Sequence, residues 1–150
     1  MLSRSHLHSI YFLFGRTAVV LCVHRYCGVF VESLTEVAQK QGFCAVYCFM
    51  PDHVHLVLFG NTDAANSLRA VELFKQRSGY WLKRNYPRIK WQKGFRDRIL
   101  RESEIAPVVR YALDNPVRRG LATQWREYPF TGAIGLDLEQ LVSDRATDES

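Results

Sequence analysis

Two histidines one residue apart, His53 and His55, stand in the run Asp52-His53-Val54-His55-Leu56-Val57-Leu58-Phe59. In a strand successive side chains point to opposite faces, so Val54, Leu56 and Leu58 take the face under the helices while both imidazoles share the other, open face. Imidazole is a common metal ligand, and two held on one rigid strand can share a single ion. The alternative is a chance pairing on a half-exposed strand, with both rings solvated or hydrogen-bonded. Tyr111 shifts the balance. Between Glu102 and Leu113 the apolar residues Ile105, Val108, Val109, Ala112 and Leu113 recur at the spacing of one buried helical stripe. Tyr111 falls well off that stripe, where a core tyrosine would not sit. Asn115, four residues on, projects from the same side if the last turn stays helical. A phenol and an amide are then offered together to whatever that side faces. An edge-packed tyrosine and a turn-forming asparagine are the plainer alternative.

These residues need elements to position them. His6 to Phe14 reads as a strand, ended or bulged at Gly15-Arg16, with an ambiguous apolar piece at Val19 to Val23. From about Tyr26 to Gln41, Phe30, Leu34, Val37 and Ala38 fall at helical spacing, and Gly42 is a natural C-cap. Gly42 to Met50 is apolar on both alternating faces, as a central strand is. Pro51-Asp52 turns the chain into the histidine strand, His53 to Phe59. Gly60-Asn61-Thr62-Asp63 closes that hairpin and offers an N-cap to a helix from Ala64 to about Asn85. On it Leu68, Val71, Phe74, Trp81 and Leu82 form the buried side and leave Lys75, Arg77, Lys83 and Arg84 outward. Pro87 stops the helix, and Ile89 to Leu100 reads as a charged, aromatic strand. The Glu102 to Leu113 helix is halted by Asn115-Pro116, because a residue before proline avoids the α region. The order predicts an α+β, ferredoxin-like antiparallel sheet (βαββαβ) with helices on one face, plus an extra C-terminal helix carrying the tyrosine.

The 150 residues, 47% of them hydrophobic, suit one core and so a single domain over 1–150. Its core spans about 6–121, and 122–150 is an acidic tail, partly disordered past Val142. No apolar run approaches the roughly 20 residues of a membrane span, and no signal peptide is visible, so a soluble, cytoplasmic protein without a membrane partner is expected. Cys22, Cys27, Cys44 and Cys48 lie in apolar runs without metal spacing and read as buried thiols. Charge is unevenly spread. Residues 69–120 hold fourteen Lys/Arg against five Asp/Glu, whereas 121–150 hold two against six. That basic middle is the footprint of a polyanion binder.

Three blocks carry a resemblance: Met50-Pro51-Asp52-His53-Val54-His55, Trp91-Gln92-Lys93-Gly94-Phe95-Arg96-Asp97-Arg98, and Tyr111-Ala112-Leu113-Asp114-Asn115-Pro116-Val117-Arg118-Arg119-Gly120-Leu121. In order and separation the chain, from about His6 to Leu121, resembles the single-tyrosine HUH transposases of the IS200/IS605 type, and among them the REP-associated tyrosine transposases. The resemblance implies the same ferredoxin-like fold. It implies a divalent cation, Mg2+ or Mn2+, bound by His53, His55 and Asn115, and Tyr111 as the nucleophile that cleaves and rejoins single-stranded DNA through a 5′-phosphotyrosine. Implied partners are single-stranded or hairpin DNA and a second copy of the chain, in a nucleoid-associated setting. The second block's usual Asp-His is Asp97-Arg98 here, the first strand opens differently, and the tail lacks a basic extension. For DNA contacts the basic segment supplies Lys75, Arg77, Lys83, Arg84, Lys90, Lys93, Arg96 and Arg98. Trp91 and Phe95, on one strand face, offer base stacking, with core packing as the alternative. Rival functions are a non-catalytic, domesticated module for hairpin DNA or RNA, and a metal-dependent phosphodiesterase in which Tyr111 is structural.

Overall fold

The computed structural model describes residues 7–13, 23–61 and 65–147. Five strands form one antiparallel sheet in the order β4-β1-β3-β2-β5, where β1 is Leu7–Leu13, β2 Phe43–Phe49, β3 His53–Gly60, β4 Arg96–Ile99 and β5 Thr131–Ile134. The first four follow the ferredoxin-like order expected. Helices α1 (Val23–Gln41) and α2 (Ser67–Asn85) cover one face, and α3 (Ile105–Arg118) and α4 (Leu138–Thr147) belong to the other.

Alternation in β3 decides which residues meet which layer. Val54, Leu56 and Leu58 join Phe30, Leu34, Val71, Phe74 and Leu82 beneath α1 and α2. Val57 and Phe59 instead meet Ile105, Val109 and Leu113 of α3. The strand is thus buried on both faces, and the histidine face is covered where an open one was expected. Gly42, at φ 75°, ends α1 in the left-handed conformation that an ordinary side chain disfavours.

Several expected boundaries move. Helix α2 is capped by Asn66, whose side chain accepts from the Arg69 N–H at 3.0 Å, so it begins after Ala64. Leu68 lies off the buried stripe of Ala70, Val71, Phe74 and Leu82 and is 47% exposed rather than in the core. The strand expected over Ile89 to Leu100 shrinks to Arg96–Ile99. Lys75 explains part of this, since its ammonium donates to the carbonyls of Gln92 and Gly94 and holds that stretch as a loop. Helix α3 does not stop before Pro116 but runs through it to Arg118. Pro116 is buried, and three terminal hydrogen bonds close the turn beyond it: Arg119 N to Asn115 O, Gly120 N to Val117 O and Leu121 N to Pro116 O. With Gly120 at φ 74° this is a Schellman ending.

The acidic tail adds a strand to the sheet. Residues 131–134 pair with β2, Ala45 opposite Ile134 and Cys48 opposite Thr131. Tyr128 is buried with Cys48 and Met50, and its hydroxyl donates to Phe49 O at 2.6 Å. Helix α4 spans Leu138–Thr147. Gly15-Arg16, the apolar piece before Val23, Thr62-Asp63 and residues 148–150 lie outside the described residues. No helix among those described is long and apolar enough to cross a membrane.

Candidate active site

The histidine pair lies at the start of β3, at the end of the sheet that the last turns of α3 overhang. Both rings are buried, His53 at 3% and His55 at 7% exposure. His53 is held from two sides. Its Nδ1 lies 2.8 Å from the Asp52 carboxylate, and its Nε2 lies 2.7 Å from the Asn115 side-chain amide. A carboxylate beside Nδ1 favours the proton there and leaves the Nε2 lone pair facing the site. Asp52 in turn accepts from Arg119 at 3.3 Å.

Tyr111 is 60% exposed, as its place off the apolar stripe predicted. Its ring stands edge-on to His55 with centroids 6.4 Å apart. Arg118 lies over the other side of the phenol, its guanidinium carbon 3.8 Å from the ring centroid. Tyr111, Asn115 and Arg118 follow one another at four and three residues, so they form a single stripe on α3. That stripe depends on the helix continuing through Pro116.

Electrostatics keep the imidazoles neutral. Burial pulls His55 down to about 4, helped by the neighbouring His53 and the Arg118 guanidinium. Burial also lowers His53, although its hydrogen bond to Asp52 works the other way. Burial alone would raise Asp52, but the His53 and Arg119 contacts outweigh it and hold its carboxyl below the ordinary range. Neutral rings with an ionised carboxylate behind one of them are the protonation states a metal ligand set needs. Cys48, opposite His55 in the sheet register, is fully buried, which pushes its thiol up to about 11. It stays protonated and offers no thiolate. Among the described residues no three His, Cys, Asp or Glu side chains converge. Asn115, brought against His53, is the third protein donor within reach, and two imidazoles with one amide fit a divalent cation of the Mn2+ or Mg2+ type.

The structure therefore gathers His53, His55, Asn115 and Tyr111 of one chain, and adds Asp52, Arg118 and Arg119, which sequence reasoning left out. Asp52 adjoins the histidines but reads as a turn residue. The arginines were hidden by ending the helix at Leu113, although Arg118 stands seven residues, two turns, after Tyr111.

The basic residues divide. Arg77 pairs with Glu36 of α1 at 2.7 Å, and Arg84 donates to the Tyr80 hydroxyl at 3.2 Å. Lys83, Lys90 and Lys93 line a cleft of about 720 Å³ with Lys75, Gly79 and Trp91. In register Arg96 stands opposite Tyr11 and Tyr11 opposite His55, so Arg96 and Arg98 lie on the histidine face of the sheet. Arg98 is paired with Glu104. Trp91 and Phe95 do not share a strand face, because residues 92–95 are not strand. Both pack toward the α1/α2 core. Trp91 lies 5.5 Å from Phe30 between ring centroids and donates from Nε1 to Ser78 at 2.8 Å, away from the histidines.

A ferredoxin-like sheet whose central strand turns two histidines toward a helix-borne tyrosine and asparagine is the architecture of the single-tyrosine HUH class. Residues 6–114 match the family described as "Transposase IS200 like", and the chain belongs to that family. A REP-associated tyrosine transposase bound to a REP hairpin has a similar structure, with a TM-score of 0.74 at 16% identity over 87% of this chain and 78% of that one. A candidate transposase from Deinococcus radiodurans aligns with a TM-score of 0.54 at 18% identity, over 70% of this chain and 86% of that one. At such identities the likeness concerns the fold. No curated protein sequence matches this one.

Proposed function

We propose that this IS200-like transposase cleaves and rejoins single-stranded DNA next to a hairpin, with Tyr111 as the nucleophile. The observation that carries the reading is the meeting of an exposed phenol with the His55 ring while Asn115 reaches His53. A solvent-facing tyrosine at a buried histidine pair has no packing role that would account for it. In the reaction the Tyr111 Oη–P bond forms as the P–O3′ bond breaks, and the phenolic proton ends on the departing 3′-oxygen. The products are a 5′-phosphotyrosine and a free 3′-OH, and reversal with a new 3′-OH rejoins the strand without a nucleotide cofactor.

A phenol with a pKa near ~10 is a weak nucleophile at neutral pH. A divalent cation held by His53, His55 and Asn115 would neutralise charge on the scissile phosphate. The chain's own part is to keep the Nε2 lone pair of His53 facing inward through Asp52 and to keep both rings neutral. Lys83, Lys90 and Lys93 at the cleft, with Arg96 on the histidine face, supply backbone phosphate contacts. Hairpin-ended DNA is favoured as the ligand because the similar REP-associated protein was solved with such a hairpin. DNA as substrate makes the nucleoid the place of action. Since one chain supplies all four site residues, two coordinated cleavages take two copies or two successive turnovers.

The test is a 3′-labelled library of hairpin-ended oligonucleotides incubated with Mn2+. Wild type should acquire a denaturation-resistant label that Tyr111→Phe loses. Cleavage without an adduct, or full activity in Tyr111→Phe, refutes the tyrosine mechanism. Binding without cleavage, indifferent to His53→Ala, identifies a hairpin-binding module instead.

A further inference from the structure

Tyr111 projects from the solvent side of α3, where a tyrosine normally exchanges among staggered χ1 rotamers on the ps–ns scale. Two neighbours flank its ring. His55 meets it edge-on, and Arg118 covers a face at 3.8 Å. The guanidinium is itself anchored, because Nη2 donates to the Tyr111 backbone carbonyl at 2.7 Å. One side chain thus grips both the ring and the backbone of the same residue. The seven-residue separation places Arg118 two turns beyond Tyr111 on the same stripe, and the Gly120 ending fixes the turn that carries it. A guanidinium suits this role better than an ammonium. It is flat, so it stacks on a phenol, and its remaining N–H groups still point outward in its own plane.

We infer that Arg118 is the positioning residue for Tyr111, stacking on the phenol so that its Oη stays beside the histidine pair instead of sampling solvent. The inference rests on the reading of Tyr111 as the nucleophile. The ring would be held before DNA arrives, so the attacking oxygen needs no ordering at the moment of reaction. Misplacement of a reacting group by ~1 Å costs on the order of 10²-fold in rate.

The experiment compares wild type, Arg118→Ala and Arg118→Lys by the rate of adduct formation at saturating 3′-labelled hairpin-ended oligonucleotide with Mn2+, and by the Kd for the same DNA. Alongside, 13C-tyrosine labelling follows the Tyr111 ring without DNA, its resonances assigned with Tyr111→Phe. Arg118→Ala should slow the adduct step by about 100-fold with Kd changed less than twofold. Its Tyr111 resonances should move toward those of a free tyrosine, and Arg118→Lys should restore neither. The inference is overturned by a wild-type rate in Arg118→Ala, by full rescue with lysine, by a loss confined to Kd, or by unmoved ring resonances. A wild type that forms no adduct defeats the nucleophile reading instead, and the ring resonances then decide alone whether Arg118 holds the tyrosine.

Discussion

Asp52 shows how much of the site is set one residue behind the proposed ligands. Its carboxylate sits 2.8 Å from His53 Nδ1 and is braced by Arg119, so it selects the tautomer that leaves Nε2 as an acceptor. Outer partners of this kind typically change metal affinity by ~10- to 100-fold when removed. Asp52→Ala should therefore weaken Mn2+ binding by at least about tenfold in an electron paramagnetic resonance titration, with Asp52→Asn less affected because an amide oxygen can still accept. Equal affinity in Asp52→Ala and wild type would show that the carboxylate merely forms the turn. At His55 burial is the largest cause of the lowered basicity, with His53 and Arg118 adding to it.

At the scale of the element, α3 is the part on which the site depends. A proline within a helix removes one backbone donor and costs about 3 kcal/mol, yet here the helix passes Pro116 and delivers Asn115 and Arg118 to the site. Burial of the Pro116 ring and the three terminal hydrogen bonds offset that loss. Gly120 is the residue that makes the ending possible, at φ 74° with open space around a would-be Cβ. The strain of a side chain there is one of backbone conformation alone. Gly120→Ala should destabilise by about 1 to 2 kcal/mol in urea unfolding, and Gly120→Asn by less, since asparagine tolerates this region. Unchanged stability in Gly120→Ala would mean that the final turn adds nothing to the fold.

At the scale of the molecule, part of the acidic tail finishes the sheet. Tyr128 fills a core position against Met50 and Cys48, and β5 covers the edge of β2. An uncovered edge next to a buried tyrosine site is an aggregation liability. Deleting residues 122–150 should lower unfolding free energy by at least about 3 kcal/mol, the order expected for losing one buried aromatic alone. A truncated chain with the same urea midpoint would return these residues to the status of a tail. The charge pattern also acts at this scale. The basic cleft packs against α2, whereas the histidines face α3 across the sheet, so DNA that touches both must pass an edge, and the exposed β4 carrying Arg96 is on that route.

What the sequence determined by itself follows from short periods. A repeat of two places His53 and His55 on one face whatever surrounds them, and a helical stripe excludes Tyr111 from the core by angle alone. The order of strands and helices, read the same way, implied the ferredoxin-like arrangement. Tertiary structure decided the rest, because it rests on contacts that local rules do not contain. Proline's local preference ended α3 too early, and only the buried ring and the Gly120 turn reverse it. The four residues of β5, with a glycine among them, are too few to show a period and become a strand only by pairing with β2. Trp91 and Phe95 carry the same residue types whether they stack on bases or on Phe30, and the loop held by Lys75 settles where they point. The joining of Asn115 to His53, 62 residues apart in the chain, exists only once helix and sheet have packed.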